Sequence, residues 1–177
     1  MEHTSIADVK TPASRIGLGT WAMGGVQWGG TDDDESVRTI HAALDLGITL
    51  IDTAPAYGFG HSEEVVGRAI AERGGRDRIV VATKLGLKRH GDALFRNSSR
   101  RQIFEEIDQS LKRLRASYID LYQVHWPDFS IPYEETAQAL LTFSVPERSA
   151  RLECPITPSR RWTGSATWRR SPLRSRR

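Results

Sequence analysis

Short apolar runs alternate with amphipathic stretches over the first 143 residues of the chain. The runs rich in Ile, Leu and Val predict four strands, at Ile16 to Thr20, Leu50 to Ile51, Ile79 to Thr83 and Ile119 to Val124. Between them, apolar side chains recur every three or four positions, which is the period of a helix with one buried face. Regular alternation of strands and helices predicts an α/β fold with a parallel sheet.

The first helix is predicted to follow a Gly-rich loop. The acidic cluster from Thr31 to Glu35 marks its start, because such side chains satisfy free N–H groups and suit the positive end of the helix dipole. Val37, Ile40 and Leu44 share its apolar face. Gly47 predicts its end, since glycine readily takes the left-handed conformation that terminates helices.

The later helices carry similar signals. Ser62 and the acids after it predict the start of the second helix, and Gly74 predicts its end. Ser99, followed three residues later by Gln102, fits a capping box at the start of the third helix. A fourth helix is predicted from Glu134 to Phe143. The predicted buried stripes consist of Val65, Ala69 and Ile70 in the second helix, and of Ile103, Ile107, Leu111 and Leu114 in the third.

The alternating pattern stops near Phe143. From Ser144 to Arg177 there are nine Arg, no Lys and two acids, a net charge of +7, and because the whole chain carries +3, residues 1–143 carry −4. We therefore divide the chain into residues 1–143 and a tail of residues 144–177. A closed barrel of eight parallel strands takes about 250 residues, so the first part has room for about half of one.

Three interpretations of the tail stay open. Low apolar content with high net charge is typical of disorder. Translation of a GC-rich gene in the wrong reading frame tends to give Arg, Pro and Ser, and it would explain the abrupt change. A basic arm for nucleic acid is a third interpretation, which we rank below the second and which predicts affinity that falls steeply with salt. We expect no nucleic-acid partner for the chain.

Composition favours a protein of a reducing compartment. The single cysteine, Cys154, excludes an intrachain disulfide. The N-terminus lacks the basic and apolar regions of a secretory signal, and no apolar run approaches the ~18 residues that span a bilayer. We expect a cytoplasmic protein with no membrane partner and no metal site.

Reactive side chains follow three of the predicted strands. Asp52 and Tyr57 come after the second strand, Lys84 after the third and His125 after the fourth. Because the carboxyl ends of parallel strands meet at one end of a barrel, these four side chains predict one catalytic site there. Each has a structural alternative when it is taken alone: a turn cap, a loop aromatic, a snorkelling lysine and a core histidine.

Residues from about Ser14 to Phe143 resemble the N-terminal half of an aldo-keto reductase. Seven motifs occur in order and at the spacing of that family. They are Gly17-Leu18-Gly19-Thr20-Trp21, Asp52-Thr53-Ala54-Pro55-Ala56-Tyr57-Gly58, Ser62-Glu63, Thr83-Lys84, Leu111-Lys112-Arg113-Leu114, Tyr118-Ile119-Asp120-Leu121-Tyr122 and His125-Trp126-Pro127-Asp128.

The resemblance implies a (β/α)8 TIM barrel, here its first four βα units, that transfers a hydride from NADPH to the carbonyl carbon of a small-molecule aldehyde or ketone. Tyr57 matches the proton donor of the family, Lys84 and Asp52 match its partners, and His125 matches the residue that orients the carbonyl. These types suit the chemistry, because the alkoxide that forms needs an acid and a second hydrogen-bond donor at its oxygen.

The resemblance also implies a cofactor site and a substrate pocket. Gly19, Thr20, Trp21 and Asp52 are expected to line the nicotinamide side, and Trp28 and Trp126 the substrate side. The string from Gly17 to Ala22 also fits the dinucleotide pattern G-x-G-x-x-A. We reject a Rossmann site, because the residues that follow are poor helix formers and such a site needs a helix there.

Departures from the family limit what the resemblance implies for this chain. The later strands, whose residues hold much of the cofactor in the family, match nothing here. We therefore expect carbonyl reduction to be impaired in what we interpret as a truncated chain. The preference for NADPH over NADH rests on the resemblance alone. The alternative is a protein of the same fold that binds cofactor in a regulatory role without fast turnover.

Overall fold

The computed structural model describes residues 1–26, 28–90 and 93–143, apart from the side chain of His90. The predicted tail of residues 144–177, which includes Cys154, lies outside the described residues. The three interpretations of the tail therefore concern residues outside the described ranges.

The described residues form eight strands and four α-helices. The strands are β1 (His3–Thr4), β2 (Ala13–Ser14), β3 (Gly17–Gly19), β4 (Leu50–Asp52), β5 (Val80–Leu85), β6 (Leu87–His90), β7 (Ala93–Arg96) and β8 (Leu121–Val124). The α-helices are α1 (Asp33–Asp45), α2 (His61–Arg73), α3 (Arg100–Arg113) and α4 (Tyr133–Leu141).

The four predicted strands form one parallel sheet in the order β3-β4-β5-β8. Gly19 pairs with Asp52, Asp52 with Ala82, and Ala82 with Leu121. The prediction of a parallel sheet is therefore confirmed. Its strands are shorter than predicted at several ends, and the last begins at Leu121 rather than Ile119. This register brings the carboxyl ends of all four strands to the same end of the sheet.

The ends of α1 confirm the predicted signals. Asp32 is the N-cap, and its carboxylate accepts a hydrogen bond of 2.9 Å from the backbone N–H of Glu35. The last helical residue is Asp45, and Gly47 follows with a φ of +82°, in the left-handed region. The helix therefore ends where the glycine allows the chain to turn toward β4.

The capping box predicted at the start of α3 is wrong. Ser99 is the N-cap residue, but its side chain makes no capping hydrogen bond. The backbone N–H of Ser99, which Gln102 would satisfy in a capping box, donates instead to Oδ1 of Asn97 at 3.1 Å. Gln102 is instead buried, and its side-chain NH2 group has no hydrogen-bond partner among the described residues. Burial of the glutamine against the core therefore overrides the local sequence signal.

The core lies between the sheet and the helices. The predicted helix stripes are buried, with Leu44 and Leu111 partly so. The largest fully buried apolar side chains are Tyr122, Ile40, Ile51, Leu85, Ile103, Ile107 and Ile119. One cluster of buried apolar side chains joins α1, α2 and α3 to β4 and β5, which fixes the strand ends relative to one another. No helix in the described ranges is long and apolar enough to cross a membrane.

Two antiparallel hairpins were not predicted. One pairs β1 with β2 near the N-terminus, and the other pairs β6 with β7 between β5 and α3. Leu87 pairs with Arg96, and Arg89 pairs with Leu94. The second hairpin therefore follows directly after the strand that carries Lys84.

Candidate active site

Asp52, Tyr57 and Lys84 meet at the carboxyl end of the sheet. Asp52 is the last residue of β4, and Lys84 lies near the end of the neighbouring strand β5. The ammonium of Lys84 donates hydrogen bonds to Oδ1 and Oδ2 of Asp52 at 2.7 and 2.8 Å and to the carbonyl of Thr53 at 3.0 Å. It also donates to the phenol oxygen of Tyr57 at 3.2 Å. One ammonium group thus touches both a carboxylate and a phenol.

The ion pair between Lys84 and Asp52 is partly shielded from water. The Lys84 side chain is 14% exposed and the Asp52 side chain 38%. A charged hydrogen bond is stronger in such an environment than on an open surface. Three oxygens from β4 and the residue after it therefore fix where the ammonium lies, and so where it meets Tyr57.

An unusual backbone turn positions Tyr57. Residues Tyr57–Gly60 form a 3-10 turn in which Gly58 has a φ of +64° and Phe59 a φ of +57°. A positive φ is costly for a bulky residue such as Phe59, and residues of this kind cluster at functional sites. The backbone of Gly58 also packs against Gly24, so that a Cβ atom on Gly58 would lie 2.6 Å from the Cα of Gly24. The turn is therefore locked to the loop after β3.

His125 completes the predicted set. It follows β8, and its backbone N–H donates to the carbonyl of Leu85 at 3.0 Å. Its ring lies perpendicular to the ring of Tyr57, with 5.7 Å between the centroids. Burial lowers the pKa of His125, and the nearby charge of Lys84 lowers it further, while Asp52 acts in the opposite direction. The imidazole is therefore neutral at neutral pH and can donate one hydrogen bond.

Exposed aromatic side chains surround this set. The ring of Trp21 lies 6.2 Å from Tyr57 and 5.6 Å from Trp28, measured between centroids. Trp126 lies 6.2 Å from His125. Both substrate-pocket tryptophans of the prediction, Trp28 and Trp126, are therefore at the rim of the site, together with the predicted cofactor residue Trp21.

The other predicted cofactor residues differ in their accessibility. A Cβ atom added to Gly19 would meet no atom within 4 Å, so a flat ring has room to approach the backbone there. Thr20 is fully buried, and its hydroxyl donates to the carbonyl of Asp52 at 3.0 Å and lies 2.7 Å from Oγ of Ser62. Its side chain thus supports the strand ends. This part of the site is chemically suited to a nicotinamide ring, because the backbone at Gly19 is open, Trp21 is exposed and the polar side chain of Asp52 lies beside them.

After β3 the chain enters a single 3-10 turn, Ala22–Gly24, rather than an α-helix. A Rossmann site needs the N-terminus of an α-helix at this position. The structure therefore agrees with the rejection of that site. In the part of the chain that is described, no group of three or more His, Cys, Asp or Glu side chains is arranged to hold a metal ion.

Two arginines at the rim were not found from the sequence. The register of the hairpin β6–β7 puts Arg89 and Arg96 on the same face as the buried Leu87. Arg89 lies 4.1 Å from the ring centroid of Phe59, and Arg96 lies 5.3 Å from that of Trp126. The hairpin thus contacts residues that follow Tyr57 and His125. Only the antiparallel pairing, which was missed, could have indicated this.

Known proteins are similar to this chain in sequence and in fold. The model of the Aldo/keto reductase family matches residues 15–144. The chain is 63% identical over 140 residues to the aldo-keto reductase YhdN of Bacillus subtilis (strain 168), an alignment that covers 79% of this chain and 42% of that protein.

Solved structures give the same result. A glycerol dehydrogenase from Gluconobacter oxydans is similar with a TM-score of 0.77 and 51% identity, over 86% of this chain and 47% of that one. An aldo-keto reductase from Klebsiella pneumoniae in complex with NADPH is similar with a TM-score of 0.63 and 34% identity, over 81% of this chain and 45% of that one. The chain spans about half the length of these proteins, and its parallel sheet corresponds to the N-terminal part of a TIM barrel.

Proposed function

Since the chain belongs to the aldo/keto reductase family, we propose that its site serves the NADPH-dependent reduction of an aldehyde or ketone to an alcohol. The observation that carries this proposal is the position of the Lys84 ammonium, which contacts both Asp52 and the phenol oxygen of Tyr57. A phenol held against a cation, with a neutral imidazole beside it, is suited to a reaction in which negative charge develops on an oxygen.

Tyr57 acts as the acid in the proposed reaction. The substrate carbonyl lies with its oxygen toward the phenol, and as the carbonyl carbon is reduced, the oxygen takes the phenol proton. A reduced nicotinamide, when bound, supplies the hydride. Lys84 stabilises the phenolate that is left, because its ammonium is 3.2 Å from that oxygen. Asp52 holds the ammonium in place, so that no rearrangement is needed when the charge develops.

His125 orients the substrate in this proposal. Its ring stands perpendicular to that of Tyr57, and it carries no charge at neutral pH. A neutral imidazole can donate one hydrogen bond to the carbonyl oxygen without competing with Tyr57 for the proton transfer. Trp126 and Trp28 provide apolar surface at the rim, which favours a small carbonyl compound with an apolar part.

A nicotinamide cofactor fits the residues at the carboxyl end of β3 and β4. Gly19 leaves its side of the site open, and Trp21 presents an exposed ring beside Tyr57. None of these residues distinguishes a cofactor with a 2′-phosphate from one without it. The proposal of NADPH rather than NADH therefore rests on family membership and on the NADPH complex of the Klebsiella relative. We also propose that turnover is slower than in a whole family member, because the resemblance places further cofactor contacts on later strands.

Initial rates test the function. The chain is mixed with NADPH or NADH and a small aldehyde, and the loss of reduced nicotinamide is followed by absorbance. We expect carbonyl-dependent oxidation that is faster with NADPH and is lost in Tyr57→Phe. Tyr133→Phe is the matched control, since Tyr133 is exposed and its phenol lies outside the site.

Cofactor binding without turnover would overturn the catalytic proposal. A fluorescence titration of the tryptophans with NADPH separates the two functions, because it reports binding alone. Saturable binding with no oxidation of cofactor in any assay would instead favour the regulatory role. A rate that matches that of a whole family member would contradict the proposed impairment.

A further inference from the structure

Two consecutive polar residues at the start of α2 are fully buried. Ser62 and Glu63 are the second and third residues of the helix, and both are 0% exposed. A buried carboxylate is costly unless it is paired and hydrogen bonded. Their partners therefore indicate what these residues do.

Ser62 connects the ends of two strands. Its hydroxyl donates to the carbonyl of Thr20 at 2.8 Å and lies 3.0 Å from the hydroxyl of Thr53. Thr20 follows β3, and Thr53 follows Asp52 directly. The carbonyl of Thr53 accepts one of the hydrogen bonds of Lys84, at 3.0 Å. Ser62 thus contacts Thr53, which itself binds the ammonium of Lys84.

Glu63 connects α2 to the strand that carries Lys84. One carboxylate oxygen accepts a hydrogen bond of 2.6 Å from the hydroxyl of Thr83, and the other accepts 2.7 Å from Nε of Arg113. The ion pair with Arg113 compensates the buried charge. The oxygen that does not bind Arg113 accepts the hydrogen bond of Thr83, which immediately precedes Lys84.

The alternation of side chains along a strand links Thr83 to the site. Successive side chains on β5 point to opposite faces of the sheet. Thr83 therefore faces the helices, while Lys84 lies on the opposite face together with Asp52. A hydrogen bond that fixes Thr83 from the helix side therefore limits how far the backbone at Lys84 can move. A displacement of about 1 Å is enough to cost on the order of 100-fold in rate when it misplaces a catalytic group.

We propose that Ser62 and Glu63 are positioning residues, which hold Asp52 and Lys84 at the distances that the reaction needs through the hydroxyls of Thr53 and Thr83. The consequence for catalysis rests on the function proposed above. The consequence for the position of Lys84 does not, and it can be measured in the chain without any turnover.

The experiment is competitive labelling of amines, read by peptide mass spectrometry. The chain has four lysines, so exposed Lys10 and Lys112 serve as internal references for Lys84. Thr83→Val removes the hydroxyl at nearly constant volume and leaves Glu63 paired with Arg113. We expect labelling of Lys84 relative to the references to rise about fivefold, which corresponds to the loss of one net hydrogen bond.

Matched variants separate positioning from general loosening. Thr83→Ser keeps the hydroxyl and should restore the labelling of the unmodified chain. Thr136→Val removes the hydroxyl of another buried threonine, which pairs with Ser98 instead, and it should leave the labelling of Lys84 unchanged. Circular dichroism checks that each variant is folded. If Thr83→Val does not fold, Ser62→Ala takes its place with the same expected rise.

A labelling ratio for Lys84 that is unchanged in Thr83→Val or Ser62→Ala, or that rises as much in Thr136→Val, would overturn the proposal. Where the chain reduces a carbonyl, Thr83→Val should lower kcat and leave KM nearly unchanged, since Thr83 does not touch substrate. The expected labelling in a chain without turnover would support the positioning role and count against the proposed function instead.

Discussion

The ammonium of Lys84 lies 2.7 Å from Oδ1 of Asp52, although 31 residues separate the two in the chain. Their strands are neighbours, and the parallel register sets Asp52 beside Ala82, two residues before Lys84. Side chains two residues apart on a strand share a face. The backbone pairing of β4 with β5 thus creates the ion pair, which in turn places a cation against Tyr57.

Asp52→Asn should release Lys84 from its fixed position. The amide keeps the shape of the side chain but removes the charge that holds the ammonium, which then no longer meets the Tyr57 phenol in one geometry. We expect kcat to fall by about 100-fold with a smaller change in KM, because misplacement of a catalytic group acts on the reacting state. Steady-state kinetics check this, and an unchanged kcat would contradict it.

Tyr57→Phe removes the proposed proton donor and leaves the ring in place. We expect kcat to fall by about 100- to 10,000-fold, which is the range that general acid catalysis contributes. Binding of NADPH should be nearly unaffected, as measured by fluorescence titration. A variant that keeps more than about a tenth of the rate would assign proton transfer to another group.

Gly58→Ala should be more destabilising than an ordinary left-handed glycine substitution. Its Cβ atom would lie 2.6 Å from the Cα of Gly24, and its φ is +64°. Gly29 has a φ of +78° but open space around its Cβ position, so Gly29→Ala is the matched control for backbone strain alone. We expect Gly29→Ala to cost about 1 kcal/mol and Gly58→Ala about 3 kcal/mol or more. Urea unfolding measures the loss of free energy of unfolding in each variant. Equal losses in the two variants would show that the turn at Gly58 can shift to make room for a Cβ atom.

Glu106 should make stability depend on pH. Burial raises its pKa from 4.5 to about 7, although the N–H of Gly86 donates to its carboxylate at 2.7 Å and acts in the opposite direction. The folded chain therefore keeps a proton that the unfolded chain loses, so this contribution is fully present below pH 4.5 and is lost as pH rises to about 7.

Glu106→Gln is the corresponding variant, because its side-chain carbonyl can still accept from Gly86. Between pH 4.5 and about 7 the free energy of unfolding of the unmodified chain should fall by up to about 3 kcal/mol relative to that of the variant. Urea unfolding at a series of pH values measures the difference. Parallel curves for the two proteins would rule out this contribution.

Several parts of the fold could be predicted from the sequence, because they depend on interactions between residues that are close together in the chain. Asp32 caps the start of α1, and Gly47 with its positive φ follows the end, so both ends depend on residues that are local in sequence. The apolar strands alternate with amphipathic helices, which is sufficient to indicate a parallel sheet. The same pattern predicted that Tyr57, Lys84 and His125 follow strands, and the resemblance to a family then implied their catalytic roles.

Other parts depend on distant contacts and could not be predicted. The capping box at Ser99 failed because Gln102 is drawn into the core beside Glu106. The hairpin β6–β7 lacks β-branched residues, so its strands carry no local signal of their own. Ser62 and Glu63 stood out as a motif, but their partners Thr53 and Thr83 are neighbours only in the folded chain.

The most direct test of the central claim follows the hydride and the proton donor together. The chain is incubated with NADPH that carries deuterium at C4 of the nicotinamide and with a small aldehyde, and the alcohol is analysed by mass spectrometry. We predict one deuterium on the carbinol carbon of the product, and at least about 100-fold less labelled product in the same time with Tyr57→Phe. Product without deuterium, or an equal amount of labelled product from Tyr57→Phe, would contradict a reductase site centred on Tyr57.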